Sequence, residues 1–220
     1  VVVVNPSPVA SVHDRACECF YQLVGGNVQF GEEHSRLHDH SQDGGGNHTA
    51  KLPAWCGDTP VHLIGHSLGG QTMRMLEAMV SKGQFATHKT DSSWIASVTC
   101  LNAPLNGSLL VHSLGALSCP EAVPGSVRWG SFGFTLGFLL HLLELLCPLW
   151  LKALTFDPQL AQWCLGNDYQ EVWRALCGRS RIFNGTDNAA YSMTPGAALQ
   201  HNTSVMATQD NVFYISLYGT

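Results

Sequence analysis

Val61-His62-Leu63-Ile64-Gly65-His66-Ser67-Leu68-Gly69-Gly70 is the stretch that decides the reading of this chain. Its apolar run reads as a buried strand. A tight turn follows with a serine at its apex, and Gln71 to Val80 continues as a helix. Gly65-His66-Ser67-Leu68-Gly69 fits G-x-S-x-G, a nucleophile elbow in which the serine holds a strained backbone and exposes Oγ. Side chains two positions either side of Ser67 would meet neighbouring backbone, which accounts for Gly65 and Gly69. The free N–H groups at the N-terminus of the next helix can stabilise an oxyanion. Ser67 is thus the candidate catalytic nucleophile. The competing reading is an ordinary glycine-rich strand–helix turn.

The 220 residues suit one domain, and 45% hydrophobic against 12% charged residues excludes a disordered chain. The formal net charge is -5 and the Lys and Arg residues are scattered. Nucleic acid is therefore not an expected partner, and charge gives no reason to expect binding to anionic lipid. Val1–Val4 reads as a core strand and Phe213–Tyr218 as another. A chain that starts and stops inside a sheet is expected to be a fragment of a longer protein, incomplete at both ends. No signal peptide is visible, which a missing N-terminus would explain.

The eight cysteines show no C-x-x-C spacing, so a thiolate zinc site is not expected. Cys17 and Cys100 read as small core residues. Cys119, Cys147, Cys164 and Cys177 are available to pair if the protein is exported. N-x-[ST] sequons at Asn47, Asn106, Asn184 and Asn202 are compatible with secretion.

In chain order, Asn5-Pro6-Ser7-Pro8 breaks the first strand. A helix runs from about His13 to Val24 and ends at Gly25-Gly26. Residues 27–50 are polar and carry His34, His38 and His40 within seven residues. The segment is either a metal site or a solvated loop. Trp94–Leu101 is the next strand. The turn-rich Asn102–Ser108 should border the same cleft as Ser67, at the carboxyl ends of the strands. From Phe132 to Phe156 the chain is strongly apolar. It is long enough to span a bilayer, but His141, Glu144 and Pro148 count against that. A lid over the active site, within residues 108–156, is the preferred reading over a buried core helix or a transmembrane anchor. A helix around Asp168–Cys177 and a last strand, Asn211–Leu217, complete the chain, which has no internal repeats.

His66-Ser67-Leu68-Gly69-Gly70-Gln71-Thr72-x-Arg74-Met75-Leu76 resembles the zinc-containing lipases of thermophilic bacilli (bacterial lipase family I.5) and the related staphylococcal lipases. The likeness extends to Asp14-Arg15-Ala16-Cys17-Glu18 with Gln22-Leu23-Val24-Gly25-Gly26, and to Gly31-x-x-His34-x-x-x-His38-x-His40. It continues through Leu160-x-x-Trp163, Thr186-Asp187-x-Ala189-x-Tyr191 and Tyr214-Ile215-Ser216. Bacterial members usually have Ala and Gln where this chain has Gly65 and Leu68.

The resemblance implies an α/β-hydrolase fold, a mostly parallel sheet flanked by helices, with a His-rich zinc-binding insertion over 27–50. It implies a structural Zn²⁺ held by Asp14, His34, His40 and Asp187, with no open position for a substrate water. His38 is not carried over. It implies hydrolysis of acylglycerol esters at an oil–water interface through an acyl-enzyme on Ser67, with the N–H of Leu68 as one oxyanion donor. The family's triad His and acid follow the strand matched by Asn211–Leu217, so this chain is expected to lack them and to be inactive alone. His88, His112, His141 and His201 do not have the expected place. The alternatives are a non-catalytic zinc-stabilised binding protein, or an acyltransferase or thioesterase on the same fold.

Overall fold

The computed structural model describes residues 1–117, 127–150, 159–163, 169–180, 182 and 185–219, with only the backbone for Gly45 and residues 143–150. The elements in order are α1 (Val12–Val24), β1 (Gly26–Gln29), α2 (Glu32–His38), β2 (Asp43–His48), β3 (Val61–His66), α3 (Leu68–Ser81) and β4 (Ile95–Leu101). They continue as α4 (Leu110–Ser113), α5 (Phe132–Trp150), α6 (Tyr169–Leu176), α7 (Ala189–Ser192), α8 (Pro195–Ser204) and β5 (Phe213–Leu217). The architecture is α/β.

β3, β4 and β5 form a parallel sheet in that order, with Ile64 beside Thr99 and Thr99 beside Ile215. The ladder runs past the strand ends: Ser67 N–H donates to Leu101 O (3.0 Å), and Asn102 N–H to Leu217 O (2.8 Å). The turns after β3 and β4 therefore leave the sheet side by side. A parallel sheet needs covering, and α1 and α3 cover one face. Phe20 on α1 stacks on Phe85 at 3.6 Å between ring centroids, and both join Leu63, Leu76, Ile95 and Val98 in the main core. Cys17 and Cys100 lie in this core, as their apolar contexts predict. Arg74 ties α3 to β5: its guanidinium lies over the Tyr214 ring at 4.4 Å and donates to Glu77 Oε2 at 2.6 Å.

α1 begins where Ser11 Oγ accepts from Asp14 N–H (3.2 Å). It ends where Gly25, at φ 88°, donates its N–H to Tyr21 O (2.8 Å). Residues 27–50 are no simple loop. β1 and β2 pair antiparallel, Gly26 opposite His48 and Asn27 opposite Asn47, and α2 lies between them. Few side chains hold this segment to the core, chiefly Val28 and Phe30.

Val1–Val4 departs from the sequence reading. It forms no strand; Val1 and Val3 are exposed and only Val4 packs partly against the core. Four valines have strand propensity, but a strand exists only where a ladder of hydrogen bonds is made, and none joins them to β3. Trp94 ends a 3₁₀ turn, and its strand starts at Ile95.

The apolar run forms α5, packed against α6. Its residues beyond 150 lie outside the described ones, as do Cys119, Cys164 and Asn184. No helix among the described residues is long and apolar enough to cross a membrane. The inner side of α5 buries Leu140 and His141, whose Nε2 lies 2.7 Å from Ser180 Oγ. Phe132, Leu136 and Leu139, at i, i+4 and i+7, are exposed. α6 is turned in an unusual sense. Its apolar stripe, Tyr169, Trp173 and Leu176, faces out, while Glu171 and Ala175 are buried.

Candidate active site and metal centre

Ser67 caps the N-terminus of α3 at φ 53°, ψ −127°, a left-handed backbone that a side chain other than glycine rarely holds. Tight packing imposes it. A Cβ on Gly65 would lie 2.2 Å from the carbonyl oxygen of Gly69, and one on Gly70 would lie 2.4 Å from Ala103 Cβ. Gly69 differs from the sequence expectation: nothing approaches within 4 Å of the place its Cβ would take. The second tight glycine is therefore Gly70, one residue later, where α3 crosses the loop after β4.

Ser67 is exposed. Its carbonyl accepts from Gly70 N–H at 2.9 Å. Gln71 Nε2 donates to Pro104 O (2.6 Å), fastening the first turn of α3 to the Asn102–Ser108 loop. Among the described residues, neither the Ser67 hydroxyl nor the Leu68 N–H has a hydrogen-bond partner, and no histidine or carboxylate bonds Ser67. Unpaired N–H groups at the start of a helix are a natural anion site. His88 is in the aromatic cluster with Phe20, His112 lies 2.9 Å from Ala116 O, and His141 bonds Ser180.

Asp14, His34, His40 and Asp187 converge from three parts of the fold, their ligand atoms all within 4.8 Å of one another. α1 carries Asp14, α2 carries His34, the turn after α2 carries His40, and the segment before α7 carries Asp187. His34 Nε2 lies 3.0 Å from Asp14 Oδ1 and 3.2 Å from Asp187 Oδ1; His40 Nε2 lies 3.2 Å from Asp187 Oδ2. Both carboxylates are buried. His34 Nε2, His40 Nε2 and both Asp187 oxygens are buried without an aligned hydrogen bond. Ligand-type atoms that crowd together at 3.0–3.2 Å without well-aligned hydrogen bonds are what a cation between them would satisfy. The four form a group able to hold a metal ion, and imidazole with carboxylate suits a borderline-soft divalent ion.

Electrostatics agree. Burial opposes the charge on His34, but the two carboxylates outweigh it and raise His34 to about 9. Burial likewise opposes charge on His40, and Asp187 and Asp14 raise it. Burial works against ionised Asp187, yet His34 and His40 hold its carboxyl far below the usual range. His38 is absent from the group; burial lowers its pKa.

Three supporting side chains were not legible as such. His13 stacks on His34 at 3.6 Å between centroids, with Nδ1 3.3 Å from Asp14 Oδ1. Gln162 Nε2 donates to Asp14 Oδ2 (3.3 Å), and the Trp163 ring lies 5.1 Å from that of His40. Leu160-x-x-Trp163 marked this stretch without revealing that it backs the cluster.

A parallel α/β sheet with a serine elbow and this polar centre defines a lipase-like domain. The chain belongs to the family described as "Lipase-like, C-terminal domain", whose model matches residues 4–220. It is 28% identical to Lipase 2 of Staphylococcus aureus over 97% of this chain and 31% of that protein. It is 33% identical to a lipase of Staphylococcus hyicus over 50% of this chain and 19% of that protein. The crystal structure of Staphylococcus hyicus lipase superposes with a TM-score of 0.70 at 23% identity, covering 96% of this chain and 54% of that one, and shows the fold alone. EstA from Clostridium botulinum matches with a TM-score of 0.67 at 28% identity, over 96% of this chain and 49% of that one. The chain thus spans less than a third of Lipase 2 and about half of each solved structure.

Proposed function

We propose that the whole protein is a serine ester hydrolase of lipase type with an α/β-hydrolase fold, acting on acylglycerols or related carboxylic esters. The observation that carries this reading is the backbone of Ser67, held at positive φ and exposed beside an unpaired Leu68 N–H. Ser67 Oγ attacks the ester carbonyl and gives its proton to a general base; the carbonyl oxygen becomes an oxyanion that accepts from Leu68 N–H. The alcohol leaves with a proton, and water then cleaves the acyl-enzyme. No base meets Ser67 among the described residues, and the chain spans 31% of Lipase 2. We place the base and its orienting acid in the remainder. Without them Ser67 is a hydroxyl of ordinary acidity, and these 220 residues alone should turn over substrate orders of magnitude more slowly.

The metal read here is Zn²⁺. Asp14, His34, His40 and Asp187 would hold it, and with four protein ligands it supplies structural cross-linking instead of chemistry. The 27–50 segment is a zinc-binding insertion on this reading. The 108–156 region is a lid, supported by the outward apolar residues of α5. Lipid at an oil–water interface is the proposed partner. Export is proposed on the sequons, of which Asn47, Asn106 and Asn202 are exposed.

A fluorophosphonate probe tests the enzyme. Full-length protein should be labelled on Ser67, and Ser67→Ala should abolish labelling and esterase turnover. A folded full-length protein that does neither is the non-catalytic alternative. Product analysis with water and alcohol acceptors separates hydrolase from acyltransferase. Stoichiometric zinc lost in His34→Ala is the expected metal result; zinc-free protein overturns that assignment.

A further inference from the structure

The metal group uses one residue of Asp14-Arg15-Ala16-Cys17-Glu18. Arg15 and Glu18 are left without a role, although both are buried, at 8% and 0% exposure. A buried guanidinium is costly unless its donors are used, so its partners show what it is there to hold. Arg15 Nε donates to Thr72 Oγ1 at 2.9 Å. Thr72 lies in the second turn of α3 and is itself fully buried. Its hydroxyl passes the bond on, donating to the carbonyl oxygen of Leu68 at 3.0 Å. Arg15 Nη1 donates to the carbonyl oxygen of Ser7, and the N–H of Ser7 donates to Glu18 Oε2 at 2.5 Å. The fork of one side chain therefore fixes α1, the 5–8 turn and the first turn of α3 to one another.

The consequence falls on Leu68. Its carbonyl is held by Thr72, and the carbonyl before it, that of Ser67, is held by Gly70 N–H at 2.9 Å. The peptide N–H between them is the one left unpaired. We infer that Arg15 is a positioning residue for the nucleophile elbow, acting through the Thr72 hydroxyl to fix Leu68 and the strained Ser67. Arg15 touches no reacting atom. This rests on the serine-hydrolase reading. It adds that α1 serves two centres through adjacent side chains: Asp14 faces the metal group and Arg15 faces the elbow.

The test uses full-length protein, with second-order labelling by a small fluorophosphonate and kcat and KM on a soluble short-chain ester. Arg15→Met keeps the stem and removes every donor. Thr72→Val removes the hydroxyl. Each should lower labelling rate and kcat roughly 10- to 100-fold, the effect of a misplaced reacting geometry, with KM within about twofold and metal content unchanged. The double variant should be no worse than the worse single one, because both break one relay. Thr72→Ser, which retains a hydroxyl, should restore most of the rate. A merely structural Arg15 gives singles that multiply and no rescue by Thr72→Ser, and either result overturns the inference. Should Arg15→Met fail to fold, the Thr72→Val and Thr72→Ser pair decides alone: equal rates overturn the relay. Wild-type protein that does not label overturns the hydrolase reading itself; wild type that labels beside an unimpaired Arg15→Met overturns only the relay.

Discussion

His40 Nε2 lies 3.2 Å from Asp187 Oδ2, while its Nδ1 donates to the carbonyl oxygen of Ser41 at 2.8 Å. The backbone bond fixes the ring and commits Nε2 to the carboxylate side. A histidine anchored in this way is pre-set as a ligand.

Asp187→Asn keeps the shape of that side chain and removes its charge. Metal content after purification should fall from stoichiometric to trace. The affinity loss should exceed the roughly 10- to 100-fold produced by losing an outer hydrogen-bond partner of a ligand. His38→Ala, outside the group, should leave metal content unchanged. Metal analysis of the two variants side by side checks both; loss of metal in His38→Ala would contradict the assignment.

The pH dependence has opposite signs with and without metal. In the metal-free protein His34 is raised from 6.5 to about 9, despite burial, by Asp14 and Asp187. The folded chain holds that proton more tightly than the unfolded one. The stabilisation is complete below about pH 6.5 and is lost as pH rises through about 9. A metal competes with the same proton, so its affinity should rise over that interval. Thermal unfolding with and without chelator, from pH 6 to 9.5, should show the Tm gap widening as pH rises. A gap that narrows would show that His34 is not a ligand.

Glycines in the elbow are not equivalent. Gly70→Ala places a Cβ 2.4 Å from Ala103 Cβ and should cost about 1–3 kcal/mol by overpacking. Gly69→Ala meets nothing within 4 Å and should stay within about 0.5 kcal/mol of wild type. Urea denaturation of the two variants measures the difference.

Trp173 offers its ring to solvent, 65% exposed. Trp173→Ser should alter unfolding free energy by less than about 0.5 kcal/mol, since little packing is lost. If the outward stripe meets lipid, less of the same variant should float with triacylglycerol emulsion droplets on centrifugation. A large loss of stability would show instead that the ring is buried in solution.

The elbow and its two flanking elements were legible because three signals coincide there: an apolar strand run, glycines at fixed spacing and a good helix sequence. His34 and His40 were legible locally as metal candidates, in a segment with three histidines in seven residues, but Asp14, Asp187 and the exclusion of His38 came only through resemblance, since no local pattern joins residues so far apart. Whether the 27–50 segment is a metal site or a solvated loop stayed open in the sequence, because it is held by backbone pairing and by the polar cluster, with Val28 and Phe30 as its few apolar anchors. Val1–Val4 misled in the opposite sense, since β-propensity describes a residue and a strand requires a partner. The outward stripe of α6 defeats periodicity for a simple reason. Apolar residues at helical spacing mark out a face, but the spacing does not say whether that face meets protein, water or lipid.

Asp14 and Arg15 occupy consecutive positions in the first turn of α1, about 100° apart around its axis. One added or deleted residue between Arg15 and Phe20 would rotate both side chains by about 100° relative to the packed face of α1 and swing them off their targets together. That stretch of helix is therefore intolerant to length change where the exposed tips of the fold are not. Attempts to graft this metal cluster onto another scaffold would have to carry the rotational phase of α1 with it.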